Sequence, residues 1–353
     1  MLDQSPVPAG STAEEALRDT VALAVEAERL GYRRIWLAEH HNTGSLAGTA
    51  PEVLAAHVAG QTSTIRVGSG GVLLSHYPAL KVAEVFRTLE ALYPGRIDLG
   101  LGRADGADRA AVRALHDGGA PPGEEAYRER LTQLIGYLED TDGDGSRRSG
   151  GDHKSGEGDR VAGDGVDDPG EPEVIAWPRP ASVPEVWVLG SSSVGATLAA
   201  ELGLPYCFAH FVSPTFGDKV MDLYHRRFRP SRRYPQPRGS VAVTAICADT
   251  DARAEALAAS GDIWALKPEG RRRGALLPPE DAAASPRTPL DDELLAQHRA
   301  KRFTGASDRV AATLRNLADA YQVDEVVVRT VCHDPADRLH SYRLLAEAFA
   351  PNR

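Results

Sequence analysis

Short, nearly continuous apolar runs recur along this chain, each followed by a longer stretch with helical spacing. RRIWLAEH (33–40), IRVGSGGVLL (65–74), RIDLGLG (96–102), VWVLG (186–190), PYCFAHF (205–211), VAVTAICA (241–248) and EVVVRTV (325–331) read as strands. An antiparallel strand with one wet face alternates apolar and polar residues. These runs do not, so both faces must be covered, as in a parallel sheet flanked by helices. With MLDQSPV as a short first strand, eight strands alternate with helices. That count favours a closed eight-stranded α/β barrel over an open sheet.

The intervening stretches carry helix signals. SerThrAlaGlu at 11–14 has the spacing of a capping box, and Leu17, Val21, Ala24 and Leu30 follow at helical intervals before Gly31. Pro51 sits near the first turn of a helix over 50–60. Further helices are expected over 78–92, 193–202, 214–228, 251–259, 307–321 and 335–349. Two segments fall outside the repeat. Thr141–Glu171 holds nine Gly and seven Asp in 31 residues, with almost nothing to bury, and is expected to be a disordered surface insertion. Residues 262–300 are rich in Pro, Arg and Ala with weak periodicity. They read equally as a mobile lid or as a long connection within a single domain spanning 1–353.

Composition excludes several classes. A net charge of −10 argues against nucleic acid as a partner. Cys207, Cys247 and Cys332 lie far apart with no CxxC pair, which fits a reducing compartment. No signal-peptide pattern opens the chain, and no apolar run reaches the ~18 residues of a membrane span. The expectation is a soluble, cytoplasmic protein.

In such a barrel, chemistry gathers at the C-terminal strand ends. The polar ones are Glu39-His40-His41-Asn42, Ser75-His76, Gly102-Arg103-Ala104-Asp105, Gly190-Ser191-Ser192-Ser193 and His210. Adjacent residues of a strand face opposite sides, so His40 and His41 do not suit one metal ion, and no metal is expected. One of the two can point into the mouth as an acid, base or donor; a structural histidine closing the strand end weighs as much. At 190–193, glycine and three serines lead into a helix, whose first amides lack internal partners. Such an end can cradle phosphate, although capping by Ser192 or Ser193 explains the same residues. GLGRADG (100–106) offers small residues and Arg103 as a phosphate partner, against the plainer reading of a surface ion pair. Together these ends suggest a phosphorylated cofactor.

The order WLAEHHN, VGSGGVLL, PALKVAEVFRTLEALYPGRIDLGLGRADG and VLGSSSVGATLAAELGLP resembles the bacterial luciferase-like flavin monooxygenases over about 1–112 and 174–348. The resemblance implies a (β/α)8 TIM barrel that binds reduced FMN from a separate flavin reductase. It also implies activation of dioxygen as a flavin hydroperoxide to oxidise a small organic substrate, and a homodimer formed through helices on the barrel side. It implies that His40 stands near the flavin ring, and that Arg103 and Ser192 contact the phosphate with Ser191 and Ser193 flanking. It implies that Gly70-Gly71 forms a non-prolyl cis peptide beneath the ring. Gly102 stands where luciferase proper has a cysteine, so light emission is not implied. The first strand is short for the family, and the acidic insertion is long. Three other readings stay open: a deazaflavin-dependent oxidoreductase on the same barrel, a metal-dependent barrel hydrolase, and a flavin-binding protein without turnover.

Overall fold

The apolar runs do become parallel strands separated by helices. The computed structural model describes residues 1–103, 106–139, 174–267 and 274–350. In chain order these form β1 (Leu2–Asp3), α1 (Ala13–Arg29), β2 (Arg34–Leu37), α2 (Pro51–Gln61), β3 (Arg66–Leu73), α3 (Ala79–Leu92), β4 (Ile97–Gly102), α4 (Arg109–Leu115) and α5 (Glu124–Glu139). Then come β5 (Glu185–Gly190), α6 (Ser193–Glu201), β6 (Tyr206–Ala209), α7 (Gly217–Arg227), β7 (Gly239–Ala248) and α8 (Asp251–Leu266). The chain continues through α9 (Pro279–Ala284), α10 (Pro289–Arg299), β8 (Arg302–Ala306), α11 (Ser307–Tyr321), β9 (Val326–Arg329) and α12 (Pro335–Phe349).

β1 to β7 pair in sequence order, all parallel. β7 is long enough to hold two partners. Val241–Thr244 pair with β9, and Thr244–Ala248 with β8. β1 to β7 and β9 are thus eight parallel strands alternating with helices, the (β/α)8 pattern expected from the sequence, and β8 extends the sheet beside the end of β7. β1 and β9 are neighbours across the last seam, where Arg329 Nη1 donates to Gln4 Oε1 at 3.1 Å.

Strand residues alternate between two cores, as the pleat requires. Trp36, Trp187, Cys207, Ala242 and Val327 fill the interior. Ile35, Leu37, Val67, Ile97 and Leu99 face outward under the helices. At the N-terminal end of the strands the interior is charged. Arg34, 1% exposed, reaches Asp98 at 2.5 Å, Glu325 at 2.7 Å and Glu185 at 3.2 Å. Asp98, fully buried, also takes Arg66 at 2.6 Å and the Trp36 indole at 2.9 Å. Arg238 pairs with Glu185 on its other side. This lattice joins residues on or next to β2, β3, β4, β5, β7 and β9.

Several sequence expectations need correction. The capping box of α1 is Thr12 with Glu15, one residue later than Ser11–Glu14. Thr12 Oγ1 accepts from the Glu15 amide at 3.2 Å, and Glu15 Oε2 accepts from the Thr12 amide at 3.0 Å and from Ser11 Oγ at 2.8 Å. β2 stops at Leu37, so the EHH motif follows the strand rather than ending it. α8 runs to Leu266, beyond the expected 259. Within 262–300, α9 and α10 pack Ala282 and Leu295 on Ile263 of α8. Residues 268–273 and the whole of 141–171 lie outside the described residues. Among the described residues, no helix is long and apolar enough to cross a membrane.

Removing one member of a buried ion network strands its partners. Arg34→Ala is expected to destabilise the protein by about 3–5 kcal/mol, read as a lowered urea midpoint. A change below about 1 kcal/mol would mean that the barrel base does not depend on it.

Candidate active site

The C-terminal strand ends open into two adjoining cavities. The outer one, about 370 Å³, lies between the ends of β3, β4 and β5 and the start of α6. His40, Gly70, Gly71, Arg103, Ser191 and Ser192 all line it, so the structure gathers these candidates from four separate stretches into one space. Ser193 is the first residue of α6 and is not among its lining residues. Ala104 and Asp105 lie outside the described residues. Two other strand ends are elsewhere: His210 Nδ1 pairs with the Tyr321 hydroxyl at 3.0 Å, and His76 Nδ1 with His116 Nε2 at 2.9 Å.

The cavity floor is the Gly70-Gly71 pair, joined by a cis peptide bond. The packing explains why both are glycine. A Cβ on Gly70 would stand 2.6 Å from Trp36 Cβ and 2.7 Å from Leu2 Cδ1. One on Gly71 would stand 2.6 Å from the Gly100 carbonyl oxygen and 2.9 Å from Leu189 Cδ1. At Gly71 the clash is with backbone that cannot shift cheaply, and at Gly70 a side chain would have to displace Trp36 and Leu2.

The far end is rich in donors. Ser192 is the N-cap of α6, yet its hydroxyl makes no capping bond, so the capping explanation of this serine does not hold. The first amides of α6 point the positive end of a helix dipole the same way. Two arginines stand at this end. Arg103 pairs with Glu124 at 3.0 Å, with both side chains about half exposed, and Arg128 of α5 pairs with Glu201 at 2.9 Å. Exposed pairs of this kind contribute little, so an incoming phosphate can compete for the guanidiniums.

At the other end, Glu39 braces the EHH motif. It is buried, and its carboxylate accepts from the Tyr77 hydroxyl at 2.6 Å and from the Leu73 amide at 3.0 Å. The His41 ring meets it at 2.8 Å. Burial, aided by that carboxylate, pushes the Tyr77 phenol well above its ordinary pKa. His41 is therefore turned to Glu39, while His40 enters the cavity with its Nε2 3.4 Å from Gln4 Nε2. The two adjacent histidines do face apart.

His40, Gln4 and Phe211 are shared with the inner cavity, about 500 Å³, which runs towards α8 and α10 and is also walled by Thr244, Trp264 and Arg329. Sequence reasoning missed Gln4, Arg128, Phe211 and Arg329. Gln4 and Arg329 sit at the ends of β1 and β9, where the strand-end rule would have found them. Arg128 lies in a charged helical stretch that reads as a solvated face and left no signal.

Comparison with known proteins gives the same assignment. A family model described as luciferase-like monooxygenase matches residues 1–322. The uncharacterized protein YwcH of Bacillus subtilis (strain 168) is 44% identical, covering 99% of this chain and 98% of its own. The N-acetyl-S-alkylcysteine monooxygenase of the same organism is 31% identical, covering 99% of this chain and 97% of its own. The crystal structure of apo-MsnO8 superposes with a TM-score of 0.84 at 41% identity, covering 99% of this chain and 97% of that one. The chain belongs to the luciferase-like monooxygenase family.

Gly71→Ala sets a methyl group against backbone that cannot yield. It is expected to cost about 1–3 kcal/mol, measured by denaturant unfolding, whereas a neutral substitution would show that the floor is looser than its packing.

Proposed function

We propose that this protein is a flavin-dependent monooxygenase that takes reduced FMN from a separate reductase and uses dioxygen to oxidise a small organic substrate. The observation that carries this reading is the pairing of spaces: a glycine-floored cavity with a cationic, serine-lined end opens past His40 into a second cavity.

The residues present fit the cofactor. Arg103, Arg128, Ser191, Ser192 and the first amides of α6 form a donor set for a phosphate dianion, with Ser193 contributing from the helix itself. The Gly70-Gly71 surface leaves room for a planar ring, since a Cβ at either position would fill its own surroundings first. Reduced flavin supplies the electrons with which dioxygen delivers one oxygen atom to the substrate and releases the other as water. The chain's own groups bind, orient and exclude water. His40 stands where the two cavities meet, so its imidazole can hold or move a proton there near neutral pH. Glu39 fixes the backbone that presents it. Phe211, Trp264 and His298 of α10 wall the inner cavity and restrict water.

The N-acetyl-S-alkylcysteine monooxygenase of Bacillus subtilis makes thioethers the first substrates to screen. A reductase and a second copy of this chain are the expected partners, and the cytoplasm the expected compartment.

Two variants test the roles. His40→Ala should lower turnover at least ~100-fold while the dissociation constant for reduced FMN moves by no more than ~3-fold; equal losses would remove the role from His40. Arg128→Ala should weaken FMN binding roughly 10- to 100-fold and leave riboflavin binding unchanged. Parallel loss of both ligands would show that Arg128 supports the fold and not a phosphate.

A further inference from the structure

The helix that walls the inner cavity contains a glycine that neither its backbone nor its packing requires. Gly261 lies inside α8, a helix of 16 residues that opens on Thr250, whose hydroxyl accepts from the Arg253 amide at 3.2 Å. Its backbone is helical, so no left-handed conformation calls for glycine there. A Cβ at this position would meet Val331 alone, 3.5 Å from Cγ1 and 3.6 Å from Cβ and the carbonyl oxygen, which are ordinary contact distances. Gly70 and Gly71 differ, because a Cβ on either would stand 2.6 Å from its nearest neighbour. Glycine inside a helix is destabilising relative to alanine, since it loses more backbone freedom on folding. The reason for Gly261 therefore lies outside the helix.

What glycine supplies at this point is room. Gly261 lines the inner cavity of about 500 Å³, with Ala258 a turn before it and Ala265 a turn after it on the same face. Ile246, Trp264 and Val331 complete the apolar side of that space. An apolar wall discriminates by volume, and one methylene that is missing or does not fit changes affinity roughly 10-fold or more.

We infer that Gly261 sets the size of the apolar group that the inner cavity admits, so that its occupant carries a bulky apolar group, branched or aryl, seated against Val331 and Trp264. Calling that occupant the substrate rests on the flavin reading; the size limit does not. Any side chain longer than a methyl group at 261 takes its volume from the place of that group.

Thermal unfolding and calorimetry of the full-chain protein test this. Gly261→Ala should unfold no lower than wild type and up to ~3 °C higher, because a methyl group fits and the helix gains propensity. A lowered melting temperature would make the glycine a packing requirement and overturn the inference. The binding probes are N-acetyl-S-benzylcysteine and N-acetyl-S-methylcysteine, which share a polar head and differ in the apolar group. Wild type should bind the benzyl probe roughly 10-fold tighter or more. Gly261→Leu should weaken the benzyl probe at least ~10-fold and move the methyl probe by no more than ~3-fold. Gly261→Met, unbranched and flexible, should do the same and serves if the leucine variant folds poorly. Parallel loss of both probes, unchanged binding of the benzyl probe in the variants, or no binding of either probe to wild type would also overturn it. FMN titrated into the same samples keeps the two readings apart. Size selection without FMN binding would defeat the flavin reading alone, and FMN binding without size selection would defeat the size limit alone.

Discussion

The buried contact between Arg34 and Asp98 is the constraint on which the rest of the molecule depends. A guanidinium and a carboxylate deep in a barrel are tolerable only when each is multiply partnered, and here the partners come from several different strands. The lattice therefore fixes strand register at one end. It also consumes the charge there, against the faces of Trp36 and Trp187, whose rings lie 5.6 and 4.9 Å from the Arg34 guanidinium. At the opposite ends of the strands, polar residues line the two cavities.

The mouth follows from that division. Above the lattice the interior narrows to Trp36, Leu2 and the side-chain-free Gly70-Gly71 surface, which separates a packed core from an open cavity. Glu39 gives the next level of order. One buried carboxylate ties the end of β3, the Tyr77 phenol and the His41 ring, and so commits His40 to the junction of the two cavities. Arg103, Arg128, Ser191 and Ser192 line the outer cavity together with the Gly70-Gly71 pair, and His40 lines both cavities. The chain's membership of the luciferase-like monooxygenases agrees with that layout.

Much of this was legible in the sequence, for physical reasons. Continuous apolar runs report burial on both faces, and strand ends report the mouth, so the EHH stretch, Arg103, Ser191 and Ser192 could be named before their convergence was visible, while the choice of His40 and the Gly70-Gly71 pair came from the family resemblance. What failed was local or long-range. β8 escaped notice because RFTGA is short and lacks a continuous apolar run. α9 and α10 looked like broken chain because each opens on a proline, which is acceptable at the first helical position and reads as a breaker elsewhere. The box that starts α1 was placed one residue early because Ser11 and Thr12 both match the pattern. Arg128 came to the site from helix α5 by packing, and no spacing in the sequence records that.

The account turns on whether the cationic end of the outer cavity is a phosphate site for a reduced flavin. The most direct measurement is an anaerobic titration of the full-chain protein with reduced FMN, reduced riboflavin and a reduced deazaflavin, followed by protein fluorescence. The account predicts that reduced FMN binds at least ~10-fold tighter than either of the other two. Equal affinity for FMN and riboflavin would contradict the phosphate site. Binding of the deazaflavin alone, or of none of the three, would contradict the flavin oxygenase itself.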